Sequence, residues 1–336
     1  MRALVIGSPG VAEVAEVPMP SPGPGEVLIR VAACGICGTD VHIFRGEYMG
    51  EYPLVPGHEF SGEVVAVGEG VSRFRVGDRV AVEPNIACGN CEACLNNRQN
   101  FCENWQAIGV TLPGGMAEYV VAPEPAVFDI GSLSFAEGAF MEPLSCVIHG
   151  VERAGIRLGD RVAILGAGPI GLLMVQVVRL RGAATITVLE RQAARRELAV
   201  RLGAMHAVAT LEELTPDAYD VVIDATGVPE VMSHTLSLVR KGGSVLLFGV
   251  PPRGARLVLD AFTVFEKGVR VSSSYTSLRN SYQAVRLLSS GRVRVDALIS
   301  HRLPLAGFEK GVHLIETGAE DVKKVILCPQ MPDESG

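Results

Sequence analysis

Four of the chain's eight cysteines fall in one short stretch, CGNCEACLNNRQNFC, at Cys88, Cys91, Cys94 and Cys102. The C-x2-C-x2-C-x7-C spacing lies among Asn and Gly, which suits a loop folded around an ion. Four thiolates at about 2.3 Å complete a tetrahedral zinc shell and leave no position for water or substrate. Such a site staples a lobe and performs no chemistry. Free core cysteines are the plainer alternative, and the spacing and polar neighbours speak against them. A second constellation can react. CGICGTDVH at 34–42 and PGHEFSG at 56–62 supply Cys37, His58 and Glu59, with the Thr39 hydroxyl and the Asp40 carboxylate nearby. A Cys, a His and acids suit an open zinc site. Cys34-Gly-Ile-Cys37 read alone as a redox pair lies outside the βαβ region where such pairs sit.

A third motif, Gly166-Ala167-Gly168-Pro169-Ile170-Gly171, follows RVAIL and opens LLMVQVVRL. Gly166 suits the tight turn, Gly168 the approach of a pyrophosphate, and Gly171 close packing of helix on strand. The helix start formed by Pro169 and Ile170 then faces the phosphates. TITVLE ends in Glu190, nineteen residues after Gly171, where a carboxylate can accept hydrogen bonds from the adenosine ribose. It would repel a 2′-phosphate, which favours NAD over NADP; Arg191 and Arg195 pull the other way.

These residues need elements to hold them. Short β-type runs (VLIRV, GEVVAV, DRVAVEP, AEYVVAP) between Gly/Pro turns make 1–147 a mostly antiparallel β domain. Residues 148–274 alternate strand and helix: RVAIL, TITVLE, HAVA, DVVIDA, SVLLFG and VRVSS are separated by stretches such as ARRELAVRLGA. That alternation predicts a doubly wound parallel sheet, so the fold class is α/β. The remaining 275–336 hold one helix, SYQAVRLLSSG, and end in KKVILCP. GDRVA recurs at 77–81 and 159–163 as a turn feeding a strand, without a wider repeat. The net charge of −7 and the lack of a basic block argue against a nucleic-acid or anionic-membrane surface. The apolar run Val162–Val178 is broken by three glycines and a proline and is not expected to span a membrane. MRALVIGSPG is too short an apolar run for an export signal, so the expected compartment is the reducing cytoplasm.

Taken in order, Cys37-Gly-Thr-Asp40-x-His42, Gly57-His58-Glu59, the four-cysteine lobe, Glu142-Pro-Leu-Ser145 and GAGPIG resemble the zinc-dependent medium-chain alcohol/polyol dehydrogenases, over about residues 1–328. The resemblance implies a GroES-like catalytic domain interrupted by a Rossmann domain, an active site in the cleft between them, two zinc ions per chain, and a dimer or tetramer. VRVSS at 269–273, as the expected edge strand, points to the same pairing. MEPLSCVIHG is similar to the sorbitol dehydrogenase pattern, in which the glutamate, here Glu142, approaches the metal. Either Glu59 or Glu142 could complete the zinc shell with Cys37 and His58. Threonine dehydrogenases share CGTDVHI but carry a histidine where this chain has Asn85. Sorbitol dehydrogenases carry an Arg-Tyr pair where this chain has Ser274-Tyr275, so Tyr275 is kept as a substrate contact and sorbitol itself is placed in doubt.

The implied reaction moves a hydride from a secondary alcohol of a polyol to C4 of nicotinamide and gives a ketose. The metal acidifies the bound hydroxyl. Thr39 passes its proton outward to His42, and Asp40 orients His58. The competing readings are a threonine-type or amino-alcohol dehydrogenase, a sugar-alcohol-phosphate dehydrogenase, and, from another class, a non-catalytic zinc-stapled NAD-binding protein. The intact Cys37, Thr39, His58 and Glu59 set argues against the last. Lys323-Lys324 reads as a solvated pair, with contact to a phosphate as the alternative. Cys34, Cys146 and Cys328 read as small buried residues.

Overall fold

A computed structural model describes residues 1–332. The chain divides into two compact units, Met1–Ser145 with Leu278–Gly336, and Cys146–Ser277, where sequence placed the boundaries at 147/148 and 274/275.

The first unit is built on a seven-stranded sheet. Its order is Ile299–Leu303, Lys324–Leu327, Glu26–Gly35, Glu59–Val67, Arg79–Val82 and Val127–Asp129, and Tyr119–Pro123 also pairs with Glu26–Gly35. All pairings are antiparallel except that of Ile299–Leu303 with Lys324–Leu327. Glu26–Gly35 buries Val27, Leu28, Ile29 and Val31 and leaves Arg30 outside, as befits an interior strand with partners on both sides. That core gathers Ile29, Ile36, Phe60, Met116 and Phe308, all at most 2% exposed. Two strands of the sheet come from the C-terminal end of the chain. One of them, Lys324–Leu327, lies directly beside Glu26–Gly35 through the pairs Ile326↔Gly35 and Leu327↔Cys34.

The second unit carries six strands, in the order His206–Val208, Thr185–Leu189, Arg161–Leu165, Tyr219–Asp224, Val239–Leu247 and Arg270–Ser273, all parallel. Counted along the chain this is 3-2-1-4-5-6, the doubly wound order. Arg161–Leu165 and Thr185–Leu189 are buried at every position but their first, as a sheet covered on both faces requires. The run Val162–Val178 divides between the first of these strands, the glycine turn and the helix Pro169–Leu180. Among the described residues, no helix is long and apolar enough to cross a membrane.

Two elements differ from expectation. The strand read from Ser244 begins at Val239, because Tyr219 pairs with Val239 before the register shifts to Val221↔Ser244. A bulge next to Gly242-Gly243 carries the chain through what reads as a turn. A helix, Met141–Ala154, occupies MEPLSCVIHGVERA, where no element was expected. Pro143 falls in its first turn, where no backbone N–H is needed.

His149 on this helix is 6% exposed. Burial, reinforced by the Arg153 guanidinium, holds its imidazole below the usual 6.5. The unfolded chain therefore takes up a proton first as pH falls, and native stability declines from 6.5 down to the folded pKa. His149→Gln should flatten this part of the curve. Urea midpoints compared at about pH 7.5 and about pH 5.5 should fall less in the variant than in the wild type, whereas an equal fall contradicts the assignment.

Candidate active site and metal centres

Among the described residues, two groups of side chains bring ligand atoms within 4.8 Å of one another: Cys88, Cys91, Cys94 and Cys102, and Cys37, His58 and Glu59.

In the first group, Cys88 Sγ lies 4.0 Å from Cys94 Sγ, and Cys91 Sγ lies 3.9 Å from Cys102 Sγ. Four sulfurs about 2.3 Å from a tetrahedral zinc would be roughly 3.8 Å apart, so the spacing fits the ion. The loop is built for thiolates. Backbone N–H groups of Asn90 and Cys91 bring Cys88 down to about 6. Those of Glu103 and Cys94 lower Cys91 as well. Burial, followed by the neighbouring Cys91 thiol, pushes Cys94 up to about 12. Burial and the neighbouring thiol thus oppose a Cys94 thiolate, and a divalent cation would remove the obstacle.

The second group arises where strands end. Gly35 pairs with Glu59 across the sheet, so the residues just beyond, Cys37 on one side and His58 on the other, are brought together. Cys37 caps the helix Gly38–Phe44. Asp40, 0% exposed, accepts the Cys37 N–H at 2.8 Å and the Gly57 N–H at 3.3 Å, and its Oδ1 lies 3.5 Å from His58 Nδ1. One carboxylate therefore fixes the backbone on both sides of the ligands as well as facing the imidazole. Burial opposes a charged His58, yet Asp40 and Cys37 outweigh it and hold this histidine well above its ordinary range.

Glu59 is 1% exposed and forms an ion pair with Lys324, which is 5% exposed and donates to Ile36 O at 3.1 Å. Their strands flank Glu26–Gly35 on opposite sides, and the two side chains meet over Gly35. A Cβ on that glycine would collide with Glu59 Oε2 and lie 2.9 Å from Lys324 Cε. Burial favours neutral Lys324, but Glu59 and then Cys37 reverse this and raise its pKa. Lys324 is therefore neither solvated nor available to a phosphate, which corrects the sequence expectation for the Lys323-Lys324 pair; Lys323 turns to Asp321 at 2.8 Å. A His58 that ligates metal must give up its proton, and once Cys37 is a thiolate three anionic groups then share this pocket with one ammonium. A divalent cation would balance them, and the donor set suits zinc.

Glu142 stands in the first turn of Met141–Ala154 and is 8% exposed, but it is not in the Cys37 group. Thr39 and His42 occupy one face of Gly38–Phe44, three residues apart. Tyr275 is 36% exposed and belongs to the second unit.

The glycine motif also belongs to the second unit. Gly166 has φ +102°, Gly168 caps the helix, Pro169 and Ile170 begin it, and a Cβ on Gly171 would overlap Gly166 O. Nothing lies within 4 Å of a Cβ built on Gly168, which leaves that side open to a ligand. A cavity of about 830 Å³ opens there, bordered by Gly166, Gly168, Glu190, Arg191, Arg195 and Thr226. Glu190 is held in place: its oxygens accept the Ala167 N–H at 3.0 Å and the Gln192 N–H at 2.9 Å, and Arg195 Nη1 lies 4.0 Å away. Two residues at this site were not anticipated. Arg196 donates to the carbonyls of Glu190 and Arg191, at 2.8 and 2.7 Å. Asp224 accepts from the Thr226 hydroxyl at 2.6 Å and from the Gly227 N–H at 3.1 Å, ordering the loop at the end of its strand.

Two family models match the chain. Residues 23–132 match the alcohol dehydrogenase GroES-like domain, and residues 169–290 match the zinc-binding dehydrogenase family. D-altritol 5-dehydrogenase of Agrobacterium fabrum is 38% identical over 91% of this chain and 93% of its own. The chain belongs to the zinc-dependent medium-chain dehydrogenases, on the sorbitol dehydrogenase-like branch. D-arabinitol dehydrogenase 1 of Uromyces fabae is 32% identical over 93% of each chain. The crystal structure of a zinc-binding dehydrogenase from Sinorhizobium meliloti 1021, bound to NADP, superposes with a TM-score of 0.93 at 38% identity, covering 98% of this chain and 99% of that one.

For a dehydrogenase of this family the two metal groups should be separable. Elemental analysis should find two zinc ions per chain, and one in either Cys91→Ser or Cys37→Ser. Only Cys91→Ser should unfold the lobe, since structural zinc supplies apparent binding energies of about 10–16 kcal/mol in small zinc domains. Full activity with a single zinc per chain would contradict the assignment.

Proposed function

We propose that this dehydrogenase oxidises a secondary hydroxyl of a polyol to a ketone, with zinc held by Cys37, His58 and an acidic residue and with NAD as the hydride acceptor. The observation that carries the proposal is the Cys37–His58–Glu59 group, in which the half-buried Cys37 meets the buried His58 and Glu59 and whose charge calls for a cation. When bound, zinc supplies Lewis acidity toward a hydroxyl, and NAD supplies the electron-accepting ring.

The chain's own residues do the rest. Asp40 fixes the backbone on which Cys37 and His58 sit, and Glu59 is aimed by Lys324. Thr39 takes the hydroxyl proton toward His42 at the surface. Glu142 is assigned as the carboxylate that meets a neighbouring hydroxyl or alternates with Glu59 at the metal, and Tyr275 as a second substrate contact. In the other unit, the start of the helix Pro169–Leu180 binds phosphate, and Glu190 receives the adenosine ribose hydroxyls. Glu190 favours NAD; Arg191 and Arg195 work in the other direction. Related enzymes that act on D-altritol and D-arabinitol support the polyol class.

We also assign a homodimer or homotetramer. Arg270–Ser273 ends the sheet, and the preceding helix Ala261–Lys267 exposes Phe262 at 69% and Phe265 at 81%. An open edge beside exposed aromatic rings suits pairing with a second copy. Eight cysteines without disulfides are consistent with a reducing cytoplasm.

A site built to hydrogen-bond a second hydroxyl rejects an analogue that lacks it, because its own polar groups are then left unpaired. With NAD, kcat/KM for 2,3-butanediol should exceed that for 2-butanol by at least about tenfold. The same assay should run faster with NAD than with NADP. Equal rates on the two alcohols, or a clear preference for threonine, would remove the polyol assignment; a preference for NADP would show that the arginines outweigh Glu190.

A further inference from the structure

We infer that Glu47 is a positioning residue for proton release, acting through His42; the inference rests on the proposed Thr39–His42 route. The helix Gly38–Phe44 ends two residues after His42, and the chain then turns back on itself. Gly46, at φ +75°, donates to Ile43 O at 2.9 Å, and the Glu47 N–H donates to His42 O at 2.8 Å. The turn sets the Glu47 carboxylate beside the imidazole, with Oε2 2.8 Å from Nδ1. An ionised carboxylate can only accept, so Nδ1 carries the hydrogen and Nε2 is left with the lone pair.

Neighbouring charges are committed elsewhere. Arg45 pairs with Glu316 at 2.6 Å, and Asp40 is engaged by the Cys37 and Gly57 N–H groups. The His42 and Glu47 side chains retain 27% and 44% of their exposure, so the pair is open to water.

Oxidation of an alcohol releases a hydride, taken by the nicotinamide, and a proton. Nε2 receives that proton and the ring becomes an imidazolium. The Glu47 carboxylate stabilises the charged ring until Nε2 returns the proton to water. Glu47 stays ionised throughout, and Nδ1 keeps its hydrogen. An exposed pair with no such role would serve only to hold the turn.

The test uses the full zinc-loaded protein with 15N-labelled histidine. In the wild type, neutral His42 should be the Nδ1–H tautomer; Glu47→Ala should give a mixture, and Glu47→Gln, whose amide oxygen still accepts, should keep the tautomer. With 2,3-butanediol and NAD in weak buffer, both variants should lose about fivefold in kcat/KM, the size a partly exposed ion pair can supply, and added imidazole should restore the rate. An unchanged tautomer and rate in Glu47→Ala overturn the inference. His42→Ala separates the two levels. If it turns over at the wild-type rate, the proton route itself falls. If it is slow while Glu47→Ala is silent, only the role of Glu47 falls.

Discussion

A carboxylate that is 1% exposed cannot stand alone, and the arrangement around Glu59 follows from that constraint. Burying an unpaired carboxylate costs several kcal/mol, so positive charge must be delivered to it. Lys324 delivers part of it from the last strand of the chain. That strand must sit beside Glu26–Gly35, and residue 35 must be glycine for the two side chains to meet. The return of the chain to its first unit is thus tied to the charge of one pocket. With Cys37 and Asp40 in the same pocket and His58 neutral as a ligand, a single ammonium does not suffice, and a divalent cation completes the balance.

The second unit solves a different problem with backbone rather than charge. Its 3-2-1-4-5-6 strand order brings the end of Arg161–Leu165 beside the ends of Thr185–Leu189 and Tyr219–Asp224. The glycine turn, Glu190 and the Asp224 loop then lie together at the C-terminal ends of these strands. Glu190 is bound by two backbone N–H groups and Asp224 by two groups of its own loop. Both carboxylates are thereby oriented before any nucleotide arrives, which lowers the cost of ordering them on binding.

Much of this was legible in the sequence, for physical reasons. The parallel strands appear as unbroken apolar runs because both faces are buried, and the glycine motif is legible because each glycine answers a separate steric need. The four-cysteine lobe is local, so spacing alone describes it. What escaped is non-local or hidden in a turn. Lys324 looks like half of a solvated pair because its partner, Glu59, lies near the other end of the chain and is reached only across two strand pairings. The helix Met141–Ala154 escaped because Pro143 reads as a breaker unless it falls in a first turn. The contact between Glu47 and His42 depends on the left-handed turn at Gly46, which an apolar pattern does not reveal.

The central claim is that Cys37, His58 and Glu59 hold the metal at which the substrate binds. Cobalt(II) in place of zinc makes this visible, because each cobalt–thiolate bond absorbs light and its bands shift when a ligand joins the shell. The account predicts two cobalt populations: one that shifts when 2,3-butanediol is added and disappears in Cys37→Ser, and a four-thiolate population that ignores the diol. A diol-sensitive band that persists in Cys37→Ser, or cobalt bands that never respond to the diol, would contradict it.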